Sequence, residues 1–205
     1  MTTPEIFTIG HSTLQFDEFV ELLRRHSVTA VADVRSAPYS RFNPAFNREV
    51  LQTSLRESGI EYVFLGGELG GRPKDPTCYE NNRVSYVKIS QTPLFHAGLD
   101  RLLQRREFHR IAMMCAEQDP VACHRALLVA RVLASRAVPV VHIHADGSLE
   151  THAVAETRLL RILGLPAEDL FRTREELLVE AYALQELRVA YVAPTADRSF
   201  ESEHR

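Results

Sequence analysis

The sequence predicts an α/β fold in which a mostly parallel, open sheet of about five strands is flanked by helices, with further helices at the C-terminus. Short apolar segments typical of buried strands alternate along the chain with segments whose apolar residues recur at helical spacing. The chain has 205 residues and a hydrophobic content of 45%, which suits one domain with a single core.

Apolar runs that end at glycine, polar or charged residues predict strands at 5–10, 28–35, 60–66, 110–115 and 138–144. Apolar residues three and four apart predict helices at 12–26, 48–58, 92–106, 122–136, 153–163 and 173–187. Ser12 or Thr13 is the expected cap of the first helix and Asn47 that of the second, which Gly59 closes in a left-handed conformation. Pro93 suits the first turn of the third helix.

The domain organisation follows from these elements. We expect a single domain over residues 1–190, with a core at about 5–145 and a C-terminal helical part at 150–190. Residues 77–92 are expected to be irregular, and residues 191–205 to form a polar, flexible tail.

Composition limits the function classes. A net charge of −3 argues against a generally basic surface that coats nucleic acid, although it allows a local basic patch. The sequence shows no secretory signal and no apolar segment of membrane-spanning length. The three cysteines, Cys78, Cys115 and Cys123, have no disulfide-framework spacing. We therefore expect a cytoplasmic protein with free thiols and no membrane partner.

Residues capable of chemistry follow every predicted strand. They are His11 and Ser12 after the first strand, Asp33 and Arg35 after the second, the segment GGELGGR (66–72) after the third, Cys115, Glu117 and the triplet Cys123-His124-Arg125 after the fourth, and His142 and His144 at the fifth. The carboxyl ends of parallel strands share one edge of an open sheet, where ligands bind. The sequence therefore predicts a composite site at this edge.

The loop after the fourth strand carries the most unusual residues. Asp119 is an expected N-cap and Pro120 an expected first helical residue, which places Cys123 at the end of the first helical turn. There the helix dipole and Arg125 would favour a thiolate, but the pattern favours a small cysteine that only packs the helix on the sheet. A phosphatase loop is not indicated, because Val121 occupies the position six residues after Cys115 where such a loop has arginine.

A metal site is the alternative for the same residues. Soft or borderline metal ligands are available at Cys115, Cys123, His124, His142, His144 and His11. Cys115 and Cys123, however, are eight residues apart, whereas structural zinc sites space their cysteines by two to four residues. The spacing of these residues therefore predicts no cofactor and assigns no metal ligand. A metal ion stays possible, but the spacing does not favour it.

Arginines near the strand ends suggest anion recognition. Arg35, Arg41, Arg72 and Arg125 could reach the sheet edge, where guanidinium groups recognise phosphate and carboxylate. Asp33 and Glu117 could orient these arginines or act as acid and base, although an Asp33–Arg35 ion pair could also be purely structural. Gly70 and Gly71 lie in a glycine-rich loop without the spacing of a dinucleotide-binding or P-loop motif.

The motifs together resemble a known family. TIGHS, DVRSAPYSR, YVFLGGELGGRP and CAEQDPVACHR, in this order, are similar to the DUF488 family, a domain of unknown function, over about residues 5–145. The resemblance implies a compact α/β domain but no established reaction. The positions that match it are His11, Ser12, Asp33, Arg35, Arg41, Gly70, Gly71, Cys115, Glu117, Cys123, His124 and Arg125.

Two functions remain open from the sequence, which does not decide whether the protein is an enzyme. The first is a hydrolase, transferase or binding protein for an anionic, nucleotide-like small molecule. Its catalytic candidates are His11, Asp33, Glu117 and Cys123, and its ligand-binding candidates are Ser12, Arg35, Arg41, Gly70, Gly71, Arg72, Cys115, His124 and Arg125. The second is a module without chemistry that binds nucleic acid or another protein through an arginine-rich edge. Oligomeric state is left open.

Overall fold

A computed structural model describes residues 4–194 and contains eight strands and eight α-helices in that range. The strands are β1 (Ile6–Gly10), β2 (Ala30–Asp33), β3 (Glu61–Phe64), β4 (Tyr79–Glu80), β5 (Arg83–Val84), β6 (Ile111–Cys115), β7 (Val140–Ile143) and β8 (Leu149–Thr151). The helices are α1 (Phe16–Arg25), α2 (Arg48–Glu57), α3 (Gly66–Leu69), α4 (Tyr86–Ser90), α5 (Pro93–Arg106), α6 (Arg131–Ser135), α7 (His152–Ile162) and α8 (Arg174–Val189).

The main sheet confirms the predicted α/β class. Its order in the described chain is β3-β2-β6-β1-β7-β8, and every pairing is parallel except β7 with β8. All residues of β1, β2 and β6 are buried, as expected for central parallel strands that are covered on both faces. Two hydrophobic clusters lie on the opposite faces of this sheet. Gly10 and Cys115 are register partners, so the loops that follow β1 and β6 leave the sheet side by side.

The sheet has one strand more than the five that the sequence predicts. β8 escapes prediction because it has only three residues, of which one is buried. It returns antiparallel to β7 through a tight turn in which Gly147 adopts a φ of 83°. The turn is closed by a hydrogen bond that the Ser148 backbone N–H donates to Asp146 Oδ1.

The two C-terminal helices belong to the same core as the sheet. Leu177 and Ala181 of α8 are fully buried within the larger hydrophobic cluster. Gln185 also donates from Nε2 to the Val121 carbonyl, at 2.8 Å. No helix in residues 4–194 is long and apolar enough to cross a membrane.

Other expectations need correction. The cap of α1 is Gln15, not Ser12 or Thr13. Residues 77–92 are not irregular, because they contain the β4–β5 hairpin and α4. The expected tail starts too early, since Tyr191 and Ala193 hydrogen-bond to that hairpin through the backbone. The remainder of the expected tail, residues 195–205, lies outside the described residues.

The segment after β6 is the correction that matters most for the site. Asp119 does cap a helical turn, by accepting from the Val121 N–H at 3.1 Å, but the turn is a short 3₁₀ segment, Pro120–Ala122. Cys123 is then extended, with φ −140° and ψ 142°. A π-helical segment, Arg125–Ala130, follows and continues into α6. Cys123 therefore precedes the longer helix and does not lie in its first turn.

Candidate functional site

A cavity of about 310 Å³ lies at the carboxyl edge of the sheet, where the composite site was expected. His11 and Arg35 line it from the loops after β1 and β2. The loop after β6 forms another wall with thiol, carboxylate and imidazole groups. Tyr86 and Tyr191 close it from the segments that surround the β4–β5 hairpin.

Four side chains in this cavity converge on one point. They form what we call the four-donor cluster: Cys115, Glu117, Cys123 and His124, whose donor atoms all lie within 4.8 Å of one another. Glu117 Oε2 is 2.9 Å from Cys115 Sγ and 3.1 Å from Cys123 Sγ. His124 Nδ1 is 3.7 Å and 3.8 Å from the same two sulfurs.

The local backbone explains how the cluster forms. Cys115 is the last residue of β6, and the 3₁₀ turn reverses the chain so that Cys123 returns beside it. The Arg125 N–H donates to Cys123 Sγ at 3.4 Å, and the Cys123 carbonyl accepts from Leu127. The Cys123 sulfur therefore lies at the N-terminus of the following helix, where the helix dipole favours negative charge.

The tautomer of His124 is fixed by the chain. Its Nε2 lies 2.9 Å from the Val34 carbonyl, which can only accept, so this nitrogen carries a proton. The lone pair of a neutral His124 is therefore on Nδ1, and it faces both sulfurs. Gly71 packs directly against this ring, because a Cβ at residue 71 would lie 2.9 Å from His124 Cγ.

The protonation of the cluster is strongly perturbed. Burial opposes ionisation of Cys123, but the hydrogen bond from Cys115, the charge of Arg125 and the proximity of His124 together hold the pKa of Cys123 well below its usual value. Burial and the neighbouring Cys123 raise the pKa of Cys115 and of Glu117. Burial lowers the pKa of His124, but the negative sulfur of Cys123 outweighs this and raises it overall. The two sulfurs are therefore not equivalent.

Arg125 supports the cluster from below. It is fully buried, and it donates from Nη1 to the Glu117 carbonyl at 2.6 Å and from Nη2 to the Gln118 carbonyl at 2.7 Å. Its Nε donates to Thr8 Oγ1 at 3.4 Å. Arg125 does not line the cavity, so the structure places it as a brace for the loop and not as the ligand contact that the sequence suggested.

His11 and Arg35 form the neighbouring wall. Arg35 makes a two-pronged ion pair with Asp33, with Nε–Oδ1 at 2.9 Å and Nη2–Oδ2 at 2.7 Å. Its Nη1 donates to His11 Nε2 at 3.1 Å, so His11 Nδ1 carries the proton and donates to the Ser12 carbonyl. Burial and the adjacent Arg35 charge lower the pKa of His11 to about 4, which keeps this ring neutral. The ring stacks on Phe46 at 4.3 Å.

Arg72 is the arginine that is most available to a ligand. It lines the cavity, and its guanidinium lies 4.7 Å from the centre of the Tyr191 ring. It makes no ion pair with a carboxylate within residues 4–194, whereas Arg35 is held by Asp33.

The structure leaves several predicted site residues outside the cavity. Asp33 is wholly buried beneath Arg35, and Arg41 is exposed away from the cavity. Ser12 contributes its carbonyl to His11 and Asn43, and Gly70 packs against Ser36, in support of the walls. His142 and His144 are directed elsewhere, towards Thr8 and Glu150 respectively.

Sequence reasoning also missed part of the cavity lining. Tyr39, Tyr86, Val189 and Tyr191 all contribute to it. Tyr39 lies in the proline-bearing loop after β2 and could have been included on that ground. The other three come from segments whose position against the sheet no local pattern indicates.

Fold and site together define an α/β protein whose parallel sheet carries, at its carboxyl edge, a cavity lined by thiol, carboxylate, imidazole and guanidinium groups. The sequence model of the family described as domain of unknown function DUF488 matches residues 15–132, which is more than half of the chain. The protein therefore belongs to the DUF488 family, as the sequence resemblance indicated. Neither the curated proteins nor the solved structures yielded a match.

Proposed function

We propose that this protein is a hydrolase or transferase that binds an anionic, phosphate-bearing small molecule in the cavity at the sheet edge. The observation that carries the proposal is the juxtaposition, in one cavity of about 310 Å³, of a guanidinium without a carboxylate partner in the described chain and a cluster of reactive groups. The volume is at the lower end of those typical of small-molecule sites.

Arg72 is the anion anchor in this proposal. Its side chain is exposed at the cavity wall and is oriented by the ring of Tyr191. A guanidinium that lies over an aromatic ring can keep its donors free for the two oxygens of a phosphate or carboxylate. Tyr86 lines the same cavity and its hydroxyl can add a neutral hydrogen bond, whereas the hydroxyl of Tyr39 already donates to Glu49 at 2.7 Å.

Cys123 and Glu117 are the groups of this site that we expect to carry out chemistry. The lowered pKa of the Cys123 thiol favours its nucleophilic or metal-binding form. Burial and the neighbouring Cys123 raise the pKa of Glu117, which brings this carboxyl closer to the range of a general acid or base. None of the three cysteines is in a disulfide, which fits the reducing cytoplasm where we place the protein.

A thermal-shift screen of the purified protein against nucleotides, sugar phosphates and pyrophosphate tests this function. A ligand present at about a hundred times its Kd stabilises by about 2.7 kcal/mol, which corresponds to a Tm increase of about 5–10 °C at this chain length. A ligand that raises the Tm of the wild type should cause a much smaller Tm increase in Arg72→Gln. Lys74→Gln is the matched control, because Lys74 is exposed in the same loop and does not line the cavity.

Two results would count against the function. One is a screen without any ligand whose effect depends on Arg72. The other is tight binding of DNA or RNA that weakens steeply with salt and is unaffected by Arg72→Gln, which would favour a backbone-binding module.

A further inference from the structure

We infer that the four-donor cluster is a zinc site, in which Cys115, Cys123 and His124 Nδ1 hold the ion and Glu117 Oε2 occupies the fourth position, on the cavity side. This inference does not rest on the proposed small-molecule function, because it concerns a cation and its donors only. It also reverses the expectation from sequence spacing, which predicts no metal ligand among these residues.

The distances between the donor atoms suit a zinc ion. Zinc binds sulfur at about 2.3 Å and imidazole nitrogen at about 2.0–2.1 Å, so a tetrahedral site places these two donor atoms about 3.6 Å apart. His124 Nδ1 lies 3.7 Å from Cys115 Sγ and 3.8 Å from Cys123 Sγ. Because all four donor atoms also lie within 4.8 Å of one another, one ion placed between them could contact both sulfurs and Nδ1 after small side-chain shifts.

The imidazole of His124 is oriented as a metal ligand would be. His124 Nε2 donates to the Val34 carbonyl at 2.9 Å, which leaves the Nδ1 lone pair directed at the sulfurs. Metal-binding histidines characteristically have this arrangement, in which the outer nitrogen is fixed by a backbone carbonyl or a carboxylate. Gly71 adds a steric constraint, because the His124 ring fills the space that a Cβ of residue 71 would need.

The cluster concentrates groups that can carry negative charge. Glu117 Oε2 lies within 3.1 Å of both sulfurs, so three groups that bear negative charge when ionised share one small volume. Such a set is stable only if protons or a cation lie between its members. The set of two thiolates, an imidazole and a carboxylate matches the preference of zinc for sulfur and nitrogen, with an oxygen accepted as the fourth ligand.

Arg125 supports this charge distribution. Its fully buried guanidinium hydrogen-bonds to two carbonyls and a hydroxyl and has no carboxylate partner within residues 4–194. A buried cation requires nearby negative charge. Zinc with two thiolates and one carboxylate carries a net charge of about −1 and supplies it directly above the loop that Arg125 braces.

The spacing that seemed to exclude zinc is explained by the fold. The two-to-four-residue spacing of zinc motifs applies when both cysteines lie on one tight turn. Here the intervening loop contains its own capped 3₁₀ turn, and Cys115 is fixed by a strand. Eight residues of sequence separation therefore become side-by-side sulfurs.

The alternative is a metal-free nucleophile, with Cys123 as thiolate and His124 as imidazolium. That arrangement needs only one cysteine. It does not explain why Cys115 lies as close to Nδ1 as Cys123 does. Zinc explains both Nδ1–sulfur distances. The Glu117 contacts of 2.9 Å and 3.1 Å are those of thiol hydrogen bonds, and this carboxylate would have to move outward by about half an ångström to serve as the fourth tetrahedral ligand.

Metal analysis of the untagged protein, grown with supplemental zinc and dialysed without chelator, is the first test. We expect about one zinc per chain by elemental analysis and by native mass spectrometry. Cobalt exchanged into the site should give the intense visible bands of a tetrahedral ion and near-ultraviolet sulfur-to-cobalt absorption.

Variants identify the ligands. Cys115→Ser, Cys123→Ser and His124→Asn should each lower zinc affinity by at least a hundredfold in competition with a chromophoric chelator. Glu117→Gln should lower it by about tenfold; because Glu117 is exposed, this change should not impair folding. Cys78→Ser is the matched control, since Cys78 is buried and free but lies outside the cluster, and it should retain one zinc per chain.

Sub-stoichiometric zinc that supplementation does not raise would overturn the inference. So would cobalt spectra without sulfur charge transfer, or a loss of zinc in Cys78→Ser equal to that in Cys123→Ser. A metal-free protein in which a single thiol reacts rapidly with iodoacetamide would instead establish the nucleophile. None of these measurements involves a phosphate-bearing ligand, so failure of the zinc site and failure of the anion site are distinguishable.

Discussion

Two polar groups of very different character meet on either side of Arg125. On the cavity side is the four-donor cluster. On the core side is a chain of hydrogen bonds that we call the histidine chain, formed by Thr8, His142, His152 and Tyr182 and ending at Glu156. Both contain histidine in a buried setting, yet only one of them has the features of a ligand site.

The histidine chain is complete. Thr8 Oγ1 lies 2.7 Å from His142 Nδ1, His142 Nε2 lies 3.1 Å from His152 Nδ1, and Tyr182 Oη lies 3.0 Å from His152 Nε2. Tyr182 donates to Glu156, so its oxygen accepts from His152 Nε2, and Arg125 donates to Thr8 at the other end. Every hydrogen bond of the chain therefore runs from Thr8 towards Glu156, with one proton on each imidazole, and both rings are neutral. Burial, together with His152, holds the pKa of His142 well below its usual value.

The four-donor cluster, by contrast, has lone pairs that face one another. Its sulfurs, carboxylate and Nδ1 converge within 4.8 Å, and this convergence requires protons or an ion at its centre. The comparison shows that burial of a histidine says little about function. What distinguishes a ligand site is whether the second ring nitrogen already has a partner.

The largest effect is expected where the two groups meet. Arg125→Met leaves two carbonyls and the Thr8 hydroxyl without their donor, and unsatisfied buried polar groups are costly. We expect the free energy of unfolding to fall by about 3–5 kcal/mol in denaturant titrations. Arg161→Met, at an exposed arginine of α7, should change it by less than about 0.5 kcal/mol. A loss below about 1 kcal/mol for Arg125→Met would show that the brace is dispensable.

A smaller loss of stability should show that the histidine chain and the four-donor cluster are independent. His142→Leu removes the partners of Thr8 and His152, so we expect a loss of about 2–3 kcal/mol with unchanged zinc content. Elemental analysis and unfolding of the same sample check both parts. His109→Leu, at a partly exposed histidine that pairs with Glu61, should lose less than about 1 kcal/mol. If zinc content fell in step with stability in His142→Leu, the two groups would not be independent.

Acid should destabilise the protein through its buried neutral histidines. The folded pKa of His11, about 4, lies below the unfolded value of about 6.5, so the unfolded chain binds more protons between these values. The contribution of His11 to the free energy of unfolding is therefore fully present above about pH 6.5, and it is lost as the pH falls towards 4. His11 alone accounts for about 2 kcal/mol between pH 7 and pH 5.

Denaturant titrations at several pH values check this direction. His11→Gln should show a shallower fall of stability with acid than the wild type, while the remaining fall reflects His142 and His152, whose pKa values burial also lowers. Comparison of two variants at each pH removes any common contribution from metal loss. Identical slopes for the two proteins would mean that His11 is protonated equally easily in both states.

The smallest change in stability is expected for Gly71→Ala, which should nevertheless weaken zinc binding. Gly71→Ala places a methyl group 2.9 Å from His124 Cγ and must displace the ring by a few tenths of an ångström. We expect zinc affinity to fall by about tenfold, with a stability loss below about 1 kcal/mol in the metal-free protein. Gly67→Ala is the control, because a Cβ there meets nothing within 4 Å. Equal zinc affinities for the two variants would contradict the steric role of Gly71.

The parallel strands could be predicted from sequence because burial on both faces leaves continuous apolar runs such as Ile111–Cys115. The convergence of His11, Arg35 and Cys115 then followed from topology alone. The local course of residues 119–125 could not be predicted in the same way. Asp119 and Pro120 signal a helical start correctly, but nothing in their pattern distinguishes one 3₁₀ turn from a long helix.

That single misplacement affected the whole chemical interpretation. With Cys123 in a helical turn, its neighbours would be a dipole and Arg125. With Cys123 extended just before the helix, its sulfur still lies near Arg125 and the helix N-terminus, and it also contacts Cys115 and Glu117. The burial of Arg125 could not be predicted from the sequence either. A guanidinium at a sheet edge is usually a surface group, but the side chain of Arg125 is fully buried.

The cavity is built from two parts of the chain that can vary separately. All four donors lie within residues 15–132, the part that matches the family, whereas Val189 and Tyr191 of the facing wall come from beyond it. Substitutions at those two positions would reshape the space open to a ligand without touching a donor. Under the proposed zinc site, such substitutions would change which ligands fit the cavity and leave the donors of the ion unchanged.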